Sequence, residues 1–404
     1  MTPALSIAVC GAGIGGLAAA LLLARQGHAV TVFERFATPR PVGSGFLLQP
    51  TGLAVLDALG LAEAVAARGA WVDRLFGRSQ PRGAVVLDVR YAALDPGYRG
   101  LGVQRAALFD LLHGAALADG IPIRSGMTVT GASSGVLAFA DHAPSGPYDL
   151  VVDALGARSA LSASRPAHSL GYGALWATLD WPEGGPFSPH ALEQRYLRAS
   201  KMVGVLPVGR AAEGAPDKAT FFWSLRRADL AAWEAMPLDA WKEEVRALWP
   251  ETATLLDGLR GHDDLDFAAY RHRTLSRPWG ERIVHIGDSW HATSPQLGQG
   301  ANMALLDAFA LARAAETEGV AEIGPTFAQL RQGHVRLFQA ASRMFTPVYQ
   351  SDGRVLPLLR DRIAGPLSRV PPAPALLGAL VAGTMGRPLA RLGLEPYRAR
   401  GSDP

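Results

Sequence analysis

The chain of 404 residues is 49% hydrophobic and 19% charged, with a formal net charge of +3, the profile of a folded globular protein long enough for two domains that share a core. This excludes a disordered chain, and so small a charge leaves no electrostatic footprint for nucleic acid. Cys10 is the single cysteine, so an intrachain disulfide and a cysteine-cluster metal site are ruled out; no metal is expected, and a reducing cytoplasm is the expected location.

Leu5 to Cys10 is a short apolar run with β-branched members, as in a strand buried on both faces of a parallel sheet. Gly11-Ala-Gly13-Ile14-Gly15-Gly16 follows and fits G-x-G-x-x-G. Gly11 makes the tight turn, Gly13 lets backbone approach a pyrophosphate, and Gly16 lets a helix pack close on the strand. That helix, Leu17 to Arg25, turns its positive end to the phosphates and closes at Gly27. Ala29 to Glu34 is the second strand; Glu34, 18 residues after Gly16, can accept hydrogen bonds from both hydroxyls of an adenosine ribose. The motif by itself leaves NAD and FAD open. The chain enters this strand almost at once, without a basic leader, so no signal peptide is expected. Its longest apolar stretch, Ile14 to Ala24, is too short to span a bilayer, so no transmembrane segment is expected either.

A loop from Pro39 through Pro41 and Gly45 leads to Phe46–Pro50 and a short helix, Thr51 to Gly60. Trp71 to Gly77 and Ala84 to Val89 read as strands of a second sheet. Leu101–Arg105 precedes a helix from Ala106 to Ala118, Met127 to Phe139 resembles a hairpin, and Tyr148 to Val152 is another buried strand. From 165 the pattern becomes aromatic and alternating (174–181, 194–207, 219–226), a mainly antiparallel sheet. Asp229 to Leu259 is helical with breaks at Pro237 and Pro250, and Trp233, Trp241 and Trp249 recur on one side, best read as packing onto that sheet. Arg282 to Asp288 returns to a parallel-type strand, and a long helix runs from Asn302 to Thr317. From Ser342 onward, leucine-rich helical pieces alternate with prolines. Their apolar faces, flanked by arginines, suit a membrane surface or a second subunit, with packing on the chain's own core the simpler expectation.

Gly287-Asp288-Ser-Trp-His291-Ala-Thr-Ser-Pro295-Gln-Leu-Gly298-Gln-Gly300-Ala301-Asn302 carries its own chemistry. Asp288, ending a buried strand, can hold a hydroxyl-rich chain such as ribitol, and the glycines let backbone N–H groups approach a flat ring. A helix opening near Gly300 would favour negative charge on a reduced flavin. This second sugar-alcohol site turns the first motif from NAD towards FAD.

With these motifs the sequence resembles the single-component FAD-dependent aromatic hydroxylases, the p-hydroxybenzoate hydroxylase-like flavoprotein monooxygenases. The resemblance implies an α/β fold: a Rossmann-like FAD-binding domain interleaved with a mainly antiparallel substrate domain, and a C-terminal helical region. The expected boundaries are 1–72, 98–165 and 270–340 for the FAD domain, 73–97 and 166–269 for the substrate domain, and 341–404 for the extension. It also implies FAD held by Gly11, Gly13, Ile14, Gly15, Gly16, Glu34, Arg35, Arg105, Asp288, Gly298, Gly300, Ala301 and Asn302, with Pro295 beside the isoalloxazine.

The implied activity is hydroxylation of a small aromatic or heteroaromatic substrate through a flavin C4a-hydroperoxide, at the expense of O₂ and NADH or NADPH, in a monomer or homodimer. Leu206, Phe222 and Trp223 are candidate substrate walls. His291 and Tyr196 are candidates near the chemistry; Tyr172, His190, Arg195 and Lys201 are further candidates for a base, each with a plain structural role as the simpler reading. One motif departs from the family. In Asp149-Leu-Val-Val-Asp153-Ala-Leu155-Gly156-Ala-Arg158-Ser159 a family glycine has become Asp153, and an aspartate associated with FAD and NAD(P)H has become Leu155. Asp153 could compensate if the strand continues that far. A same-fold oxidase, desaturase or Baeyer-Villiger enzyme, or a non-catalytic FAD-binding protein, remains open.

Overall fold

The computed structural model describes residues 3–40, 43–162 and 166–399. Pro41 of the loop after Pro39 and the domain boundary at 165 lie outside them.

The first strand, Ser6–Cys10, sits inside a six-stranded sheet in the order Trp279–Gly280, Ile283–His285, Leu150–Asp153, Ser6–Cys10, Ala29–Phe33, Ile123–Arg124. Its neighbours are parallel on both sides, in the registers Val9↔Val152 and Val9↔Val32. Ile7, Val9, Leu17, Leu21 and Val152 are fully buried between this sheet and its helices, which is why the strand reads as an unbroken apolar run. The dinucleotide helix Ile14–Arg25 covers one face and packs on the helix Gly300–Thr317, so two segments almost 300 residues apart build one layer. Cys10 is buried, and burial, with Asp153 beside it, pushes its thiol well up, so it is an inert packing group.

The second sheet has seven strands, in the order Asp266–His272, His168–Asp180, Lys218–Arg226, Lys201–Gly209, Ala191–Leu197, Arg74–Ser79, Ala84–Arg90. All neighbours are antiparallel except Ala191–Leu197 with Arg74–Ser79. Its outer face carries Leu175, Val203, Val205, Phe221 and Trp223 against the helical segments after 229. The three tryptophans do the packing expected of them: the Trp241 ring meets Phe221, Trp223 and Trp233 edge-on at 6.1–6.3 Å. Stretch 194–207 is two strands joined at Arg198–Ser200, and Trp71 belongs to a separate small strand, Ala70–Val72, paired with Gly100–Val103.

The C-terminal region departs from expectation. A boundary at 341 falls inside one helix, Val320–Tyr349, that continues through Pro325 and Pro347. Gly324 makes its docking feasible, since a Cβ there would lie 2.6 Å from the Trp279 ring. Beyond it, Leu380, Leu389 and Leu392 join the main core as expected, whereas Val355 to Val370 turn most of their apolar side chains outward. Among the described residues no helix is long and apolar enough to cross a membrane.

Candidate functional site: a dinucleotide cleft beneath the second sheet

Gly13 is the N-cap of the dinucleotide helix, and Leu17 N–H is the first to reach a helical carbonyl, Gly13 O at 2.9 Å. The amides of the preceding turn therefore face outward. The glycines divide their work. A Cβ on Gly16 would lie 1.9 Å from Gly11 O, whereas one on Gly13, the exposed member, would meet no heavy atom within 4 Å. The fold requires Gly16; an approaching ligand requires Gly13. Gly15 rests against Ala304, Gly11 and Ile14 are buried, and Glu34 is fixed at the second strand's end. Its Oε2 accepts Ala12 N–H at 2.9 Å and its Oε1 accepts Phe36 N–H at 3.0 Å. Each oxygen keeps a lone pair for a ribose hydroxyl. Arg35 is exposed, its guanidinium 4.6 Å from the Phe36 ring.

The second motif enters from the other side. Asp288, Pro295, Gly298 and Gly300 are exposed, while Ser289, His291, Ser294, Gln299 and Asn302 are buried. The exposed set forms the cleft wall and the buried set anchors it. Asp288 touches solvent, yet protein packed around it desolvates its carboxyl and pushes its pKa up against the pull of His291, Arg105 and Arg273. Both are expected of a carboxylate lining a deep concavity. Helix Gly300–Thr317 makes its first amide bond at Met303, to Gln299 O, leaving the N–H groups of Gly300, Ala301 and Asn302 at its positive end. The Asn302 side chain faces the protein: Oδ1 accepts Gln49 N–H, and Nδ2 donates to Leu47 O and Gly298 O. What it offers a ligand is its backbone.

Sequence reasoning assigned no role to Asp307, which holds this wall in place. It is fully buried; Oδ2 accepts Gly287 N–H at 2.8 Å and His291 Nε2 at 2.6 Å, and Oδ1 accepts Arg331 Nε at 2.8 Å. Burial works to raise its carboxyl, but His291, Arg331 and these hydrogen bonds hold it below its ordinary value. Arg331, with no exposed surface, donates through Nη1 to His334 Nδ1, so His334 is neutral and its Nε2–H donates to Gly383 O. Burial and the adjacent Arg331 lower His334 to about 2. The available signal was an acid inside an otherwise apolar helical face. His291 is accordingly a correction: its ring is buried, bonded to Asp307 and set edge-on to Trp290, a brace under the wall rather than a group at the reacting atoms.

Arg105 Nε and Gln49 Nε2 are buried donors without a partner among the described residues. Each lies at the cleft: a Cβ on Gly43 would stand 3.3 Å from Arg105 Nε, and one on Gly298 would stand 3.9 Å from Gln49 Nε2. Donors left unpaired in a buried place are costly, and FAD, rich in phosphate and ring-carbonyl acceptors, meets that need. The donor set therefore fits the cofactor. The departing motif is settled differently from the expectation. The strand ends at Asp153, whose buried carboxylate is taken by His285 Nδ1 and Ser159 Oγ, both at 2.7 Å, and by Leu155 N–H at 3.1 Å. Asp153 braces the loop and cannot stand in for an acid at Leu155.

On the second sheet, strand alternation sorts the remaining candidates. Phe222 and Leu206 lie on the inner face; Trp223, one residue on, packs outward on Trp241, which corrects its assignment as a substrate wall. Two adjacent strand residues cannot line one cavity. Trp176, on the same face, lies tilted against Phe222 with centroids 4.9 Å apart, its indole within hydrogen-bonding reach of the buried Tyr270 hydroxyl. Tyr196 is on this face but fully buried. Its hydroxyl donates to Gln194 Oε1, and burial raises its pKa well above the ordinary value, so it is no base near neutrality. Tyr172 donates to Asp352 and is pushed up to about 12, first by burial. His190 is exposed beside Trp71 O, Arg195 stacks on Trp249, and Lys201 pairs with Glu244. Each has the plain structural role that was the simpler reading.

Fold and cleft together define a flavin-binding oxidoreductase. A family model described as an FAD binding domain matches residues 4–321, and the chain belongs to that family, the p-hydroxybenzoate hydroxylase-like monooxygenases. It is an FAD-dependent monooxygenase. It is 30% identical over 389 residues to 6-methylpretetramide 4-monooxygenase of Streptomyces rimosus, covering 90% of this chain and 89% of that protein. It is 26% identical over 341 residues to 6-hydroxynicotinate 3-monooxygenase of Bordetella bronchiseptica, covering 80% and 85%. The structure of Klebsiella pneumoniae HpxO complexed with FAD and uric acid superposes with a TM-score of 0.77, covering 94% of this chain and 97% of that one. At 20% identity this last is a likeness of fold.

Proposed function

We propose that this enzyme hydroxylates a small aromatic or heteroaromatic substrate held against the inner face of the seven-stranded sheet, with NAD(P)H as reductant. The observation that carries the substrate class is the Trp176–Phe222 pair, an aromatic surface on the inner face of the sheet. That face turns toward the cleft. Thr220, two residues before Phe222, accepts Gly45 N–H at 3.0 Å, and Gly45 belongs to the same loop as Gly43 beside Arg105. At its other end Gln296, in the wall after Asp288, donates to Gln350, whose own amide donates to Gly173 O. Relatives that act on hydroxynicotinate support a ring of this kind.

FAD, when bound, supplies the redox and oxygen-activating chemistry. The chain's residues do the rest. Glu34 and the Gly13–Gly15 turn fix the adenosine and pyrophosphate end, Asp288 and Arg105 the ribitol and ring end, and the amides at Gly300–Asn302 favour negative charge there. Phe222, Leu206 and Trp176 position the substrate ring and keep water from it. Burial holds Tyr172 and Tyr196 protonated near neutrality, so neither serves as a base and an electron-rich substrate suits this site. The test is anaerobic addition of NADH, then NADPH, to the FAD-loaded protein with hydroxylated pyridines and phenols present. Bleaching of oxidised flavin by one nicotinamide and a hydroxylated product in air are expected. No bleaching by either with any ring compound would overturn NAD(P)H as the direct reductant and point to an external reductase, the outcome in which Leu155 is decisive. Phe222→Ala and Trp223→Ala, both at buried side chains, should each cost about 3–5 kcal/mol of stability, but only the first should also raise KM for the aromatic, by about tenfold or more.

A further inference from the structure

Of the twelve large apolar side chains exposed among the described residues, nine lie between Met344 and Leu376. The concentration is greatest along the helical run Val355–Leu367, where Val355, Leu356, Leu358, Leu359, Ile363 and Leu367 are 41–67% exposed. What this run turns inward is Pro357, Arg360 and Gly365. Arg360, 2% exposed, donates to Asp361, Val348 O and Arg198 O and lies 5.0 Å from the Tyr196 ring, and a Cβ on Gly365 would stand 2.9 Å from Val85 O. The amphipathicity is inverted: an arginine and a glycine are buried and the leucines face out. Monomeric proteins rarely keep an apolar face of this extent in water.

The charges around the face select what covers it. Its two acids are already engaged on the protein, Asp352 by Tyr172 and Arg226 and Asp361 by Ser79 and Arg360. Among the described residues Arg354 and Arg362 are exposed without an ion-pair partner; Arg369, also exposed, donates to the carbonyl of Val85 and its charge helps hold the Asp88 carboxyl below its ordinary value. A covering surface must therefore be apolar within and negative at its rim. A second copy would bring Arg354 and Arg362, exposed and without an ion-pair partner among the described residues, to the contact from both sides.

We propose that the Val355–Val370 face seats this enzyme on an anionic phospholipid surface, its leucines and Ile363 entering the headgroup boundary and its arginines pairing with lipid phosphates. The attachment is peripheral and does not depend on the substrate reading above. The experiment floats FAD-loaded protein with vesicles of phosphatidylcholine alone and of phosphatidylcholine with about one-third phosphatidylglycerol. Co-flotation with the anionic vesicles is expected, weakening as salt is raised. Ile363→Glu with Leu358→Glu should abolish it, and Arg354→Gln or Arg362→Gln should each weaken it about fivefold. These exposed changes should leave flavin absorbance and melting unaltered, which separates lost binding from lost fold. Failure to float with anionic vesicles, equal binding to neutral ones, or a stable dimer by light scattering that Ile363→Glu dissociates would each overturn the proposal.

Discussion

Replacing Asp307 by alanine should damage both the cofactor wall and the fold. The change leaves Arg331, which has no exposed surface, as a buried charge without its carboxylate, and frees Gly287 N–H and the His291 ring. Breaking one side of a buried, hydrogen-bonded ion pair costs about 3–5 kcal/mol, a large part of the roughly 5–15 kcal/mol that stabilises a domain. Denaturant unfolding of the apoprotein and of the FAD-loaded protein, together with flavin content after dialysis, measures it. Because the penalty is mostly the stranded charge, Asp307→Ala with Arg331→Met should be more stable than Asp307→Ala alone. Flavin should still be retained poorly in the double variant, since Gly287 lacks its acceptor in both. A loss below about 1 kcal/mol for the single change, or no recovery in the double, would refute the account of Asp307 as the charge-bearing anchor.

Gly13→Ala and Gly16→Ala separate ligand space from packing. The first should melt like the parent without FAD but bind FAD about tenfold or more weakly, ~1.4 kcal/mol, whereas the second, with its Cβ 1.9 Å from Gly11 O, should fail to fold; equal behaviour would sink the distinction. His334 supplies a pH dependence. Its folded value, about 2, lies below its ordinary 6.5, so between those values the unfolded chain binds the extra proton. Its contribution is therefore full above pH 6.5 and lost as pH falls, by about 1.4 kcal/mol per unit, and His334→Gln should flatten the acid limb of a stability–pH curve by that slope.

The local signals of this chain were strong where one segment carries its own physics. The first strand, the glycine turn and Glu34 lie within 34 residues, and each glycine's job follows from backbone geometry that no neighbour can alter. Asp288, Pro295, Gly298 and Gly300 likewise share one loop, and the alternation of exposed and buried residues along it is already implied by a motif that must face a ligand and be anchored behind. The tryptophans at eight-residue spacing announced a packing face.

Tertiary structure decided what depends on partners far away in the chain. Asp307, Arg331 and His334 are unremarkable polar residues on two helices until those helices meet. Phe222 and Trp223 look alike until the strand's register assigns one to each face, because alternation fixes that they differ but not which one faces the cleft. The helix through Pro325 and Pro347 is held by its contacts against local propensity. The outward leucines after Val355 follow from Arg360 having found two tyrosines and two carbonyls inside. Sequence determines what each residue can offer; burial and pairing determine what is left over for a ligand or a surface, and that remainder exists only once the chain has closed on itself.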